Sequence, residues 1–258
     1  MSLQKMIDDP SDVVVDACRA AARRSADLRF VERPGYFTRR DRTTDGRVAV
    51  MSGGGSGHEP LHSGFVGAGM LDAAVPGSVF TSPNALQIEA ATRAVHAGAG
   101  VVHVVKNYTG DVINFRIAAD LCAADGITVE TVLVADDVAS ESEDGPGRRG
   151  TAATVAVEKI CGAAAARGDD LASVAALGRR VAEGARSMAV AFRPCTVPGA
   201  SSPSFDLGDD EVELGVGIHG ERGTARVATL TATEIAEALL GPVAESLGLS
   251  GGEDVVLV

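Results

Sequence analysis

Short apolar runs alternate with longer helical segments along most of this chain, and the alternation limits the folds that it can adopt. The runs at 47–51, 75–80, 100–106 and 128–135 have the length and composition of buried strands. Alternating strands and helices predict an α/β fold with a mostly parallel sheet and helices on both faces. Helices are predicted at 11–26, 82–97, 111–124, 151–167, 171–187 and 231–247, and a further helix is predicted to begin at Pro60.

The last quarter of the chain has a different character. Strands are predicted at 188–192 and 213–219, with an irregular stretch rich in proline and polar residues at 194–210. We therefore expect two lobes, a larger α/β lobe at 1–193 and a smaller one at 194–258. The run 254–258 has the pattern of a strand, but no further helix or strand follows it in the sequence. We therefore expect the second lobe to be incomplete.

Composition excludes several classes of protein. The 258 residues carry a formal net charge of −12, which disfavours binding to nucleic acid and to anionic membrane surfaces. The four cysteines form no CxxC pair, so a zinc ribbon, a redox motif or a disulfide scaffold has no support. No signal peptide is recognisable, and no apolar run approaches the ~20 residues that span a bilayer. These features predict a cytoplasmic protein with reduced thiols.

The glycine-rich segment SGGGSGHEPLH at 52–62 resembles several motifs without matching them. It lacks the Gly-Lys of a P-loop, and His58 stands where a dinucleotide fingerprint needs its last glycine. The letters at 58–62 match the zinc motif HExxH, but Pro60 between the histidines argues against one shared helix. A strand, a loop with free N–H groups and a helix start would instead bind a small polar or anionic ligand. The alternative is a glycine turn with a solvent-facing His58.

Other candidate residues also follow predicted strands. Ser82 is interpreted as a helix cap, and Lys106 ends an apolar strand. Asp111 is interpreted either as a helix-capping residue or as a general base. His219 leaves a strand between glycines and can act as a nucleophile. Because ligands bind at the carboxyl ends of parallel strands, we expect His58, Asp111 and His219 to lie together. His96 and His103 are interpreted as structural.

Taken together, these segments resemble the substrate-binding subunits of dihydroxyacetone kinases. The resemblance covers nearly the whole chain. Its most specific parts are GGGSGHEP, KNYTGD and GVGIHGE. The matching segments are SGGGSGHEPLHSGFVGAGMLDAAVPG (52–77), VFTSP (79–83), VKNYTGD (105–111), GRRGTA (147–152), RPCTVPG (193–199) and GVGIHGE (215–221).

The resemblance implies a mechanism and a set of site residues. It implies that His219 attacks the carbonyl of a short ketose or aldehyde and forms a covalent hemiaminal. Asp111 would then accept the proton of the terminal hydroxyl as phosphate arrives, and His58 would assist. The resemblance further implies that Gly55, Ser82 and Lys106 orient the substrate. No metal is expected on this chain.

The resemblance also implies partners. The nucleotide, ADP or ATP with Mg²⁺, is expected on a separate L-type subunit, possibly with a phosphotransferase-system protein, and a homodimer is expected. Members of the family continue beyond the length of this chain, which is a second reason to expect an incomplete second lobe. Three alternatives stay open: a non-catalytic triose-binding co-regulator, an inactive truncated paralogue, and a zinc hydrolase built on His58 and His62.

Overall fold

A computed structural model describes residues 5–41, 46–141, 147–252 and 255–256. Among these residues, six strands form a larger sheet. The strands are β1 (Leu28–Val31), β2 (Tyr36–Arg39), β3 (Ala49–Ser56), β4 (Ala73–Val79), β5 (Val101–Lys106) and β6 (Val129–Val134). Their order in the sheet is β1-β2-β4-β3-β5-β6. The four strands β4, β3, β5 and β6 run parallel, and β1 and β2 add an antiparallel edge. The predicted α/β class is confirmed.

Helices cover both faces of this sheet, as predicted. One buried cluster joins the sheet to α1, α4 and α5, and a second cluster joins it to α2 and α3. Valine and alanine fill most of both clusters, with Phe37 and Phe115 as their largest rings. The helices are α1 (Val13–Arg24), α2 (Ala85–Val95), α3 (Thr109–Ala124), α4 (Ala153–Arg167), α5 (Leu171–Glu183) and α6 (Ala232–Leu247).

A smaller antiparallel sheet follows, made within the described ranges of β7 (Val190–Ala191), β8 (Glu211–Leu214) and β9 (Ala225–Ala228). The predicted strand at 213–219 ends early, because Gly215 has a φ of +71° and begins a turn. The described stretch 194–210 contains no helix or strand, as predicted. Most of the predicted strand at 254–258 lies outside the described residues. The lobe boundary at 193/194 stays a prediction.

Two local predictions were wrong, and one element was missed. No α-helix begins at Pro60, and the structure has only a single turn of 3₁₀-helix at Ser63–Phe65, because glycines at 64, 67 and 69 propagate a helix poorly. The start of α2 is capped by Asn84 and not by Ser82. The Asn84 side chain accepts from the backbone N–H of Gln87, and the Gln87 side chain accepts from the backbone N–H of Asn84. The hairpin of β1 and β2 was not predicted, because its two strands are only four residues long and partly polar.

Strand β3 continues through the glycines that follow Met51. A Cβ atom added at Gly53 would lie 2.6 Å from the carbonyl oxygen of Val75, so only glycine allows β3 and β4 to pair this closely. The first part of the glycine-rich segment, through Ser56, is therefore a buried strand, and the turn begins only at Gly57. No helix in the described part of the chain has the length and apolar character needed to cross a membrane.

Candidate functional site

Loops from both sheets meet at the carboxyl ends of β3, β4 and β5. The ring of His219, on the loop between β8 and β9, contacts edge-on three rings that follow strands of the larger sheet. Its centroid lies 4.9 Å from that of His58, 5.5 Å from Phe80 and 4.8 Å from Tyr108. The predicted gathering of strand-end residues is thus what the structure shows.

His58 is held by the strand-end turn and by a stacked ring. Gly57, with a φ of +97°, turns the chain after β3. The ring of Phe80 stacks on His58 with centroids 4.9 Å apart and planes 14° apart. Phe80 itself has a φ of +55°, which is rare for a residue with a side chain and indicates a constrained turn. Burial and the nearby charge of Lys106 lower the pKa of His58 to about 3, so its imidazole is neutral at pH 7.

His219 is oriented by Glu221. The backbone N–H of His219 donates to the Glu221 carboxylate at 2.9 Å, and ring atom Nδ1 lies 2.9 Å from the other carboxylate oxygen. Partial burial alone would raise the pKa of Glu221, but the hydrogen bonds from His219 and from the backbone lower it to about 2. Because an ionised carboxylate only accepts hydrogen bonds, Nδ1 carries the proton. In the neutral imidazole the lone pair is then on Nε2.

The His219 loop is tied to the larger lobe by Arg149. The guanidinium donates to Asp137 through Nε at 2.8 Å and to the carbonyl oxygen of Gly215 through Nη2 at 3.0 Å. A Cβ at Gly217 would displace the ends of the Arg149 and Glu221 side chains, so glycine at this position lets both side chains approach the loop backbone. The glycines on this loop therefore make room for the groups that orient the imidazole.

Asp111 and Lys106 form the buried polar floor of the site. Asp111, in the first turn of α3, is 3% exposed, and Lys106, at the end of β5, is 1% exposed. Burial raises the pKa of Asp111, while hydrogen bonding with Ser82 and the charge of Lys106 oppose the rise. Burial lowers the pKa of Lys106, and the charges of Asp111 and Glu158 oppose the fall. A carboxylate with a raised pKa is a stronger proton acceptor than an ordinary aspartate.

Gly55 and Ser82 complete the set of predicted site residues. A Cβ at Gly55 would lie 2.6 Å from the backbone nitrogen of Thr81, so Gly55 lets β3 pack directly against the Phe80 turn. The hydroxyl of Ser82 would lie 2.7 Å from a Cβ at Gly110, at the start of α3. The six residues singled out from the sequence, His219, Asp111, His58, Gly55, Ser82 and Lys106, thus belong to one region of the structure. Their individual roles stay predictions.

Several residues at the site were missed. The Tyr108 hydroxyl is buried with no hydrogen-bond partner among the described residues, and Phe80 stacks on His58. Four of the missed residues lie within the segments that resemble the kinase family, and this position could have marked them as site residues. They are Tyr108, Phe80, Glu221 and Arg149. Asp137, in the polar loop after β6, offered no such signal.

The zinc alternative required His58 and His62 on one helix, and they do not share one. His62 is buried, and its Nδ1 lies 2.6 Å from Oε1 of Glu158. Among the described residues, no three His, Cys, Asp or Glu side chains lie close enough to hold a metal ion. Of the histidines interpreted as structural, His103 is fully buried in β5 with Nε2 3.0 Å from the Thr92 hydroxyl, and His96 ends α2.

Fold and site together define a class: an α/β protein whose strand ends gather two histidine rings, a buried carboxyl group and a buried lysine side chain. Within that class the chain belongs to the Dak1 domain family, whose pattern it matches over residues 19–258.

Named relatives and solved structures agree with this assignment. The chain is 46% identical over 258 residues to the protein named PTS-dependent dihydroxyacetone kinase 1, dihydroxyacetone-binding subunit DhaK, of Listeria innocua, covering 99% of this chain and 78% of that protein. The crystal structure of the dihydroxyacetone kinase of C. freundii aligns with a TM-score of 0.89 at 37% identity, covering 95% of this chain and 45% of that one. The dihydroxyacetone kinase operon co-activator aligns with a TM-score of 0.85 at 31% identity, covering 90% of this chain and 71% of that one.

Proposed function

We propose that this chain is the dihydroxyacetone-binding subunit of a dihydroxyacetone kinase. The observation that carries the proposal is the arrangement of His219. Its Nδ1 is held by the Glu221 carboxylate, so the lone pair of Nε2 is left for a substrate, and its ring lies beside His58 and Tyr108. The named kinase subunit of L. innocua supports the same substrate class.

The first step is covalent capture of the ketose. The Nε2 lone pair of His219 forms a C–N bond to the carbonyl carbon, and the C=O π electrons move onto the oxygen. The oxygen gains one proton and the imidazole gives up its Nδ1 proton, which leaves a neutral hemiaminal. Glycerol offers similar hydroxyls but no electrophilic carbon, so this step selects carbonyl substrates.

The second step is phosphorylation of the terminal hydroxyl. Asp111 accepts the hydroxyl proton as the new O–P bond forms and the P–O bond of the donor breaks. The raised pKa of Asp111 suits this role, and the neutral His58 hydrogen-bonds the substrate. Gly55, Ser82 and Lys106 hold the substrate in place, which matters because phosphoryl transfer depends chiefly on positioning and electrostatics.

The phosphoryl donor belongs to a partner in this proposal. An L-type subunit carries the nucleotide with Mg²⁺, and a phosphotransferase-system protein supplies it with phosphate. This chain itself acts as a homodimer in the cytoplasm, in the metabolism of glycerol-derived trioses. The name of the L. innocua protein, which is PTS-dependent, supports the donor assignment.

The test uses dihydroxyacetone labelled with ¹³C at its carbonyl carbon. We expect a protein-bound tetrahedral carbon signal in NMR and one added triose in the native mass of the wild type. His219→Ala is expected to lose both signals, whereas His96→Ala, a matched change far from the loop, keeps them. An adduct that survives in H219A, or none in the wild type, would contradict the proposal.

The co-regulator alternative predicts binding without phosphate transfer. In structural alignment the operon co-activator is less similar to this chain, at 31% identity, than the dihydroxyacetone kinase of C. freundii, at 37%, and the alternative is not favoured. Reconstitution with a donor subunit separates the two functions, because a sensor would bind the triose but yield no phosphate ester.

A further inference from the structure

A second pair of buried polar side chains lies beneath the site and has no part in the reaction described above. His62 follows the glycine-rich strand and Glu158 lies on α4, with Nδ1 and Oε1 2.6 Å apart. The two residues are 5% and 0% exposed. His62 Nε2 and Glu158 Oε2 are buried without a hydrogen-bond partner among the described residues. Burying such groups without partners costs free energy, so their presence here calls for a physical reason.

The pair faces the ammonium group of Lys106. A Cβ built at Gly54 would lie 2.8 Å from Lys106 Nζ and 3.2 Å from His62 Nε2, so both nitrogens converge over the bare Cα of Gly54. The negative charge of Glu158 favours the charged form of Lys106, and Asp111 favours it from the α3 side. The neighbouring imidazole of His58 interacts with the same ammonium.

We propose that His62 and Glu158 are positioning residues that keep Lys106 charged and aimed at the substrate. The carboxylate accepts the Nδ1–H of His62, which leaves the lone pair of Nε2 facing the ammonium. The charge of Glu158 offsets part of the cost of burying that ammonium. The role of Lys106 toward substrate rests on the proposed function, whereas its dependence on Glu158 does not.

The lysine count makes a direct test possible. The chain contains only three lysines, Lys5, Lys106 and Lys159, so protein labelled with ¹³C at lysine Cε gives three signals to titrate by NMR. In the intact chain without substrate, Glu158→Gln is expected to lower the titration midpoint of Lys106 and leave that of Lys5 unchanged. Glu183→Gln, an exposed glutamate at the end of α5, is the matched control and is expected to change neither.

A second variant keeps the test possible if Glu158→Gln does not fold. Glu158→Asp keeps the carboxylate but moves it farther from Lys106 by the length of one methylene group. In this variant the titration midpoint of Lys106 is expected to lie between the midpoints measured in the wild type and in E158Q. A Lys106 midpoint that is the same in the wild type and in the folded variants would overturn the proposal. So would equal shifts of Lys5 and Lys106.

Substrate capture gives a separate readout. Because a hydrogen bond to a charged group contributes about 1.5–3 kcal/mol, we expect E158Q to weaken triose retention by about 10- to 100-fold. Retention equal to that of the wild type would contradict the positioning role. If the wild type retains no triose, the proposed function fails, while the lysine titration still decides whether Glu158 controls Lys106.

Discussion

The imidazole of His58 meets that of His219 edge-on, with ring centroids 4.9 Å apart, although one follows β3 of the larger sheet and the other follows β8 of the smaller sheet. The site is therefore built across the two sheets. Contacts that hold the His219 loop against the larger lobe should control the chemistry as strongly as the residues that touch substrate.

Arg149 is the clearest of these contacts, and Arg149→Lys should uncouple the loop. Lysine keeps the charge but cannot bond Asp137 and the Gly215 carbonyl together in the fork that Arg149 forms. We expect ¹³C-triose capture by R149K to slow by about 10-fold or more, since each lost hydrogen bond to a charged group contributes about 1.5–3 kcal/mol. Arg180→Lys, at an exposed position of α5, is the control. Equal rates in R149K and the wild type would show that the loop is held by other contacts.

Two adjacent glycines should respond differently to alanine. At Gly54 the added methyl meets the end of the Lys106 side chain and His62, so Gly54→Ala should fold but bind triose poorly. At Gly55 the methyl meets the backbone of Phe80 and Thr81 at 2.6–2.9 Å, so Gly55→Ala should lower the thermal midpoint as well. Thermal unfolding and triose retention measured on both variants check this. A larger loss of thermal stability in G54A than in G55A would contradict it.

Asp111→Asn should separate catalysis from stability. Burial raises the pKa of Asp111, so the folded state favours the protonated carboxyl, and this contribution to stability is lost as pH rises above the usual range of an aspartate. At neutral pH, D111N is therefore expected to be at least as stable as the wild type, with the difference shrinking toward acid pH. Its phosphorylation rate in a reconstituted assay should fall by about 10²- to 10⁴-fold, the usual contribution of a general base.

For Asp111 the two measurements answer different questions. Near-normal turnover of D111N would remove the role of Asp111 as the base. A marked loss of stability at neutral pH would instead show that its charge stabilises the fold, against the direction of the pKa shift.

His103 should make the protein sensitive to acid. Burial lowers its pKa to about 3, so the unfolded chain binds a proton below pH 6.5 that the folded state rejects. The stability that His103 contributes is present above pH 6.5 and is lost as pH falls toward 3. We expect the free energy of unfolding of His103→Gln, measured in urea at pH 7 and pH 4.5, to fall less between these pH values than that of the wild type. Parallel losses in both proteins would assign the acid sensitivity to other groups.

Much of the fold followed from local patterns. The valine-rich runs predicted β5 and β6, and the Thr231–Glu234 capping box predicted where α6 begins. The β1–β2 hairpin was not predicted because strands this short show little periodicity. The hairpin is stabilised by the pairing of β2 with β4, which local sequence does not reveal. The helix expected at Pro60 was wrong because the glycines after it outweigh a favourable first residue.

The site, like the fold, was partly predictable from the sequence. The rule that ligands bind at the ends of parallel strands predicted where His58 and Asp111 lie, because these residues follow β3 and β5. His219 follows β8 of the antiparallel sheet, so the packing of the two sheets decided that it lies beside His58. The rule also could not predict that Phe80 stacks on His58, since that contact depends on a constrained turn after β4.

The chain's own order of residues determined the α/β class, the parallel strands and the loops that carry polar side chains, because periodicity and backbone preference act over a few residues. Only the tertiary structure decided that Glu158 pairs with His62, that Arg149 holds the His219 loop, and that burial shifts the pKa values of Asp111 and Lys106. These properties depend on distance and burial between groups far apart along the chain, which no local pattern encodes.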